Sequence, residues 1–211
     1  MKPRVDYSLY LCTDRGLMTS DTIEEGVELA IKGGATIVQL REKQCLGREF
    51  LALARSVKEV TDAYEIPLII NDRVDIALAV DADGVHLGQN DIPAAAAREI
   101  LGEHKIIGVS ANNEDLALRA QKDGADYIGV GDVFGTSTKE NTRHVSMERL
   151  KSIRKTVKIP MVAIGGIHAG NIEQLRGTGI DGIAVISAVL GARNITAAAE
   201  ELVELLEEVR R

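Results

Sequence analysis

Tryptophan is absent from the 211 residues, aromatic residues make up 3%, and there are two cysteines and four histidines. So few aromatic rings leave no stacking platform of the kind that holds single-stranded nucleic acid. Cys12 and Cys45 form no CxxC motif, which suits a reducing compartment and two structural thiols; neither is read as a nucleophile. His86, His104, His144 and His168 have no zinc-type spacing, and no Ser/His/Asp arrangement can be drawn from them. No apolar run is long enough to span a bilayer, and the N-terminal MKPRVDYS lacks the apolar stretch of a signal peptide, so a cytoplasmic location is expected. A formal charge of -7 argues against nucleic acid or an anionic membrane as the main partner. Any anionic ligand must be met by cations placed locally.

What is present is alternation. Short β-branched runs and longer segments with apolar residues at helical spacing succeed each other along the whole chain, the signature of βα units and a parallel sheet. Strands are expected at Ser8 to Thr13, Thr36 to Glu42, Leu68 to Asn71, Gly84 to Leu87, Ile106 to Ser110, Tyr127 to Val130, Met161 to Ile164 and Gly182 to Ile186. Each is followed by a helical pattern, such as Val27 and Ile31, then Phe50, Leu53, Ala54 and Val57, and finally Ala198, Leu202, Leu205 and Leu206 within Ile195 to Arg211. The even strands share an introduction: Gly34-Ala35-Thr36, Ala82-Asp83-Gly84, Gly124-Ala125-Asp126 and Gly179-Ile180-Asp181. Strands three and seven open instead on Ile66-Pro67 and Ile159-Pro160. A two-unit repeat copied four times fits a closed (β/α)8 TIM barrel, an α/β fold, better than an open sheet. One barrel domain is expected over residues 1–211, with lean loops.

In such a barrel the chemistry sits at the C-terminal strand ends. At the end of strand two, side-chain alternation puts Gln39, Arg41 and Lys43 on one face and Val38 and Leu40 on the other. If the apolar face meets the helices, an amide and two cations face the mouth and suit a diphosphate; the plainer reading pairs the cations with Glu42 or Glu49. Strand three ends on Asn71 and Asp72, and strand four runs into Asp91, so two carboxylates can converge. Together with cations they suggest Mg2+ bridging protein and diphosphate; Asp72 alone would read as a helix N-cap. Ser110 could bond a ligand or cap the next helix. Gly129 and Gly131 leave one strand face bare, with room for a flat ring or for a neighbouring backbone. The long polar loop 135–144, GTSTKENTRH, offers backbone donors, hydroxyls and a lysine to a phosphate, or is a solvated surface loop. Gly165-Gly166 and Ile186-Ser187 fall in the phosphate-binding quarter common to these barrels. His86 reads as a strand residue satisfied by its neighbours.

Taken as a set, QLREK at 39–43, Asn71-Asp72, HLGQND at 86–91, GVSA at 108–111, TSTK at 136–139, IGGI at 164–167 and VISAV at 185–189 resemble the thiamine-phosphate synthase family over nearly the whole chain. That family is an α/β barrel of thiamine biosynthesis that joins 4-amino-5-hydroxymethyl-2-methylpyrimidine diphosphate to 4-methyl-5-(2-phosphoethyl)thiazole and releases pyrophosphate. The resemblance implies that Gln39, Arg41, Lys43, Asn71, Ser110 and Lys139 bind the pyrimidine and its diphosphate. It implies Asp72 and Asp91 as Mg2+ ligands, and Thr136, Ser137, Thr138, Gly166, Ile186 and Ser187 as the thiazole phosphate site. Arg41, Lys43 and Lys139 would then stabilise the departing diphosphate. Two positions depart from the family pattern, which has proline where this chain has Gly135 and, commonly, Asp132. A related thiazole tautomerase, which resembles the synthase in fold but uses a histidine near the end of strand six, and a non-catalytic sensor of thiamine intermediates are the competing readings.

Overall fold

The strand runs named above do form strands, and each crossover returns the chain to start the next one parallel to the last. In the computed structural model, which describes residues 5–135 and 144–210, the strands are β1 (Leu9–Cys12), β2 (Ile37–Leu40), β3 (Leu68–Asn71), β4 (Gly84–Leu87), β5 (Ile106–Ala111), β6 (Tyr127–Val130), β7 (Met161–Ile164) and β8 (Gly182–Val185). They pair in sequence order and β8 closes onto β1, a (β/α)8 barrel. The crossovers carry α1 (Ile23–Lys32), α2 (Gly47–Ala63), α3 (Val74–Ala79), α4 (Ala94–Leu101), α5 (Glu114–Lys122) and α6 (Met147–Thr156). After β8 come α7 (Ser187–Leu190) and α8 (Ile195–Arg210).

Helix starts follow local chemistry. Thr22 caps α1 by accepting from the Glu25 amide, and Asn113 caps α5 by accepting from Leu116 at 2.9 Å. The seventh crossover departs from the expected helix: its only helical part is a 3-10 turn, Ile172–Leu175, whose Ile172 and Leu175 are buried. The buried stripe of α8 runs Ile195, Ala199, Leu202, Leu206 and Val209, one position round from the expected Ala198 and Leu205.

Two apolar shells result from strand alternation. Outward residues such as Leu9, Leu11, Val38, Leu40, Ile107 and Ile128 pack under the helices. Inward residues, including Tyr10, Ile37, Ile69, Ile106, Tyr127 and Val162, fill the barrel itself.

The repeat at the even strands has a physical cause. The last residue of each shared introduction, or in β4 the aspartate before its glycine, locks the preceding odd strand by accepting its first amide or, in β5, its second. Thr36 Oγ1 takes the Leu9 amide (3.2 Å), Asp83 that of Leu68 (2.9 Å), Asp126 that of Ile107 (2.8 Å) and Asp181 that of Met161 (2.8 Å). In return the Thr36, Asp83, Asp126 and Asp181 amides donate to the carbonyls of those same four residues. Arg98 and Arg154 add charge-assisted bonds to Asp126 (2.6 Å) and Asp181 (2.9 Å). Asp126→Ala removes the acceptor for both a strand amide and a largely buried guanidinium. It should lower unfolding stability by about 1–3 kcal/mol in urea titration; a loss under roughly 0.5 kcal/mol, the scale of an ordinary surface substitution, would contradict the locking role.

Candidate active site

The C-terminal strand ends surround a cavity of about 450 Å³, reaching down to Tyr10 and Tyr127. Glycines shape it. A Cβ on Gly129 would sit 3.1 Å from His86 Cε1, so the missing side chain keeps space open there. Gly131 answers to the plainer reading instead, since a Cβ would lie 2.1 Å from the Ile164 carbonyl oxygen. Gly165 and Gly166 have φ of 110° and 63°, and the base of the β6 loop lies against them, with the Phe134 amide donating to Gly165 O at 3.0 Å.

The β2 residues behave as alternation predicts. Gln39 is buried and its Nε2 donates to Tyr10 OH at 3.0 Å. Arg41 lines the cavity with its side chain only 11% exposed, and its Nη1 meets Asp14 Oδ2 at 3.1 Å. Lys43 lies past the strand end and its ammonium pairs with the Asp72 carboxylate. Glu42 pairs instead with Arg15 at 2.8 Å.

Asp72 is not a helix cap. The residue flanking α3 is Arg73, with no side-chain capping bond, while Asp72 takes φ of 62°, a left-handed conformation that aspartate tolerates better than most residues. Its amide donates to His86 O at 2.9 Å, which fixes it across the β3–β4 seam, and its carboxylate faces Lys43 and Asp91. Asp91 in turn accepts from the Gly88 amide at 2.7 Å. Burial pushes the Asp91 carboxyl above its ordinary pKa; the Gly88 amide pulls it down, and the neighbouring Asp72 pushes it up again.

Ser110 is no cap either, because Asn113 caps α5; its Oγ lies 2.9 Å from His86 Nε2 inside the cavity wall. His86 is satisfied between Ser110 and Tyr127, as a strand residue would be. Gly166, Ile186 and Ser187 line the opposite wall, and Ile186 serves as the residue flanking α7 rather than as the end of β8. Asn71 is buried at the end of β3 beside the rim. Thr136, Ser137, Thr138 and Lys139 lie outside the described residues.

Sequence reasoning passed over Tyr10, Tyr127, Gln89, Asn90 and Asn112, all of which line the cavity. The two tyrosines were reachable: Tyr127 shares its strand face with Gly129, and Tyr10 falls at an inward position of β1. The three amides sit on turns whose course alternation does not govern. Asn171 also escaped notice, although its Nδ2 donates to Gly166 O at 2.8 Å and steadies that turn.

The carboxylate pair has a measurable consequence. A carboxyl raised in the folded state binds more protons there than in the unfolded chain, so its contribution to stability falls as pH climbs from the ordinary aspartate range through the raised value. In the metal-free protein, carbon-detected titration should find Asp91 above the usual aspartate midpoint, and Asp72→Asn should move it down part of the way, because burial remains. An Asp91 midpoint indifferent to Asp72→Asn would contradict the convergence of the two carboxylates.

Residues 9–189 match the family described as Thiamine monophosphate synthase. The chain is 54% identical over 209 residues to Thiamine-phosphate synthase of Clostridium botulinum, covering 99% of this chain and 98% of that one. It is 57% identical over 205 residues to the enzyme of the same name from Ruminiclostridium cellulolyticum, covering 97% and 98%. The solved structure of thiamine phosphate pyrophosphorylase from Pyrococcus furiosus superposes with a TM-score of 0.90 at 45% identity, covering 98% of each chain. Matches of this extent and identity make the chain a member of the thiamine monophosphate synthase family.

Proposed function

We propose that the chain joins 4-amino-5-hydroxymethyl-2-methylpyrimidine diphosphate to 4-methyl-5-(2-phosphoethyl)thiazole, giving thiamine phosphate and pyrophosphate. The observation that carries this reading is the meeting of Lys43, Asp72 and Asp91 just past the strand ends, beside a cavity lined by Arg41, amides, hydroxyls, glycines and apolar side chains such as Val162 and Ile164. Cations and paired carboxylates at neighbouring strand ends suit a diphosphate held with a divalent cation. Mg2+ commonly takes one or two carboxylates and completes its shell with phosphate oxygens and water. The donor set fits in kind: Asp72 and Asp91 face each other and offer the hard oxygen ligands that Mg2+ takes. When bound there, Mg2+ would offset charge on the diphosphate oxygens.

The chain's own residues do the rest. Arg41 and Lys43 hold the diphosphate, and Lys139 joins them from the β6 loop, so that negative charge gathering on the leaving group meets preorganised donors. Gln39, Asn71 and Ser110 orient the pyrimidine. Thr136, Ser137, Thr138, Gly166, Ile186 and Ser187 hold the thiazole phosphate, placing the ring nitrogen for attack on the pyrimidine methylene carbon. The bond to the diphosphate oxygen breaks and its electron pair leaves with pyrophosphate, while a carbon–nitrogen bond forms from the thiazole lone pair. No proton transfer is needed, which accords with a site in which no nucleophile–base pair was legible. Asp132 occupies the place where the tautomerase reading requires a histidine, and its carboxylate is engaged by the Gly135 amide at 3.0 Å.

Purified protein given both substrates should form thiamine phosphate with Mg2+ and stop with chelator. Asp72→Asn and Asp91→Asn should each lose activity by about two orders of magnitude or more, and Lys139→Ala should lower kcat by roughly 10²–10³ with a smaller change in KM. Chelator-resistant turnover would remove the metal from the account. Binding of both substrates without product would favour the sensor reading.

A further inference from the structure

Beneath the diphosphate site, polar side chains from five strands form an unbroken hydrogen-bond chain through the barrel interior. Gln39 Nε2 donates to Tyr10 OH (3.0 Å), Tyr10 OH meets Tyr127 OH (2.7 Å), Tyr127 OH meets His86 Nδ1 (2.9 Å), and His86 Nε2 meets Ser110 Oγ (2.9 Å). Gln39, Tyr10, Tyr127 and His86 are all buried, and all five residues border the cavity. Two glycines make room for the central step: a Cβ on Gly108 would lie 2.1 Å from Tyr127 Cζ, and one on Gly129 would crowd His86 Cε1. A route that needs two side chains deleted around it is a built feature of the barrel.

The direction of this chain follows from giving every buried hydrogen an acceptor. An amide nitrogen can only donate, so Tyr10 OH accepts from Gln39, and the arrangement in which both buried phenolic hydrogens find acceptors within the chain has Tyr10 donating to Tyr127. Burial holds both phenols protonated, so Tyr127 has one hydrogen to give, and the remaining acceptor is His86 Nδ1. A neutral imidazole with Nδ1 accepting carries its hydrogen on Nε2, which then donates to Ser110 Oγ. We propose that this polarised chain, from Gln39 to Ser110, commits the Ser110 hydroxyl to donate to an acceptor atom of the bound pyrimidine diphosphate, with His86 and Tyr127 as positioning residues. Run the other way, the chain would turn Ser110 toward accepting and would select a donor group on the ligand instead. The two residues assigned to the pyrimidine at opposite sides of the cavity, Gln39 and Ser110, are thereby coupled through the barrel interior. The acceptor is a ring nitrogen or a diphosphate oxygen. This inference rests on Ser110 as a pyrimidine-diphosphate contact.

The first test needs no substrate. Long-range 15N–1H spectra of the ligand-free protein at neutral pH should show His86 as the Nε2–H tautomer; an Nδ1–H tautomer or a protonated ring would overturn the proposal even if the enzyme is active as proposed. Tyr127→Phe keeps the ring and removes the link, and Tyr10→Phe cuts one step earlier should the first variant fold poorly. Cutting the chain at Tyr127 should erase the tautomer preference and raise KM for the pyrimidine diphosphate about tenfold, the scale of one hydrogen bond, with KM for the thiazole phosphate unchanged. Titrating the variant with inorganic pyrophosphate and, separately, with 4-amino-5-hydroxymethyl-2-methylpyrimidine locates the acceptor: the weakened ligand carries it. Unchanged binding of both, or equal loss for the thiazole phosphate as well, would overturn the proposal. Absence of product from the wild type would instead remove the functional reading and leave the tautomer result standing.

Discussion

Closing a sheet from strands of mostly four residues leaves each strand about two inward side chains, and those few positions must fill a barrel and line a site. In the lower part the constraint is met with bulk: Ile37, Ile69, Ile106 and Val162 surround the two tyrosine rings. Toward the mouth the inward positions turn polar or vanish, as Gln39, Arg41, Asn71, His86, Ser110, Gly129 and Gly131 succeed the apolar layer. Polar groups taken out of water in this way are tolerable only when they satisfy one another. Tyr10, Tyr127 and His86 thus serve the core and the site at once.

The same economy governs the charges. A chain of net charge -7 has no general attraction for anions, so cations that are to meet one must be placed locally. Arg41 pairs with Asp14 and Lys43 with Asp72, contacts that join neighbouring strand ends. Asp72 is fixed in turn by its backbone bond to His86, which also belongs to the interior chain. Electrostatic preorganisation at the rim and hydrogen bonding in the interior are therefore linked through the β3–β4 seam.

The sequence disclosed what period and position govern. Four of the strand spans, such as Leu68–Asn71 and Met161–Ile164, coincide with the expected ones because β-branched runs bounded by proline or glycine leave little freedom. The aspartates of the even-strand repeat were visible as a pattern, yet their task was not, since accepting an amide near the start of an adjacent strand is a relation across the sheet. For the same reason the ion pairs of Arg41 with Asp14 and of Lys43 with Asp72 were not legible, since those residues come near only once the barrel closes. Asp72 read alone as a cap because a carboxylate after a strand commonly is one; its left-handed backbone turns the side chain to the rim instead. Cavity residues on turns, Gln89, Asn90 and Asn112, carried no periodic signal at all.

The claim on which the account turns is that the two cations and two carboxylates of the mouth act together on a diphosphate. Calorimetric titration of inorganic pyrophosphate into the protein, with Mg2+ and with chelator, tests it directly. The account predicts binding that depends on Mg2+ in the wild type and loses that dependence when Asp72 and Asp91 are both changed to asparagine. Equal affinity with and without the metal in both proteins would contradict it.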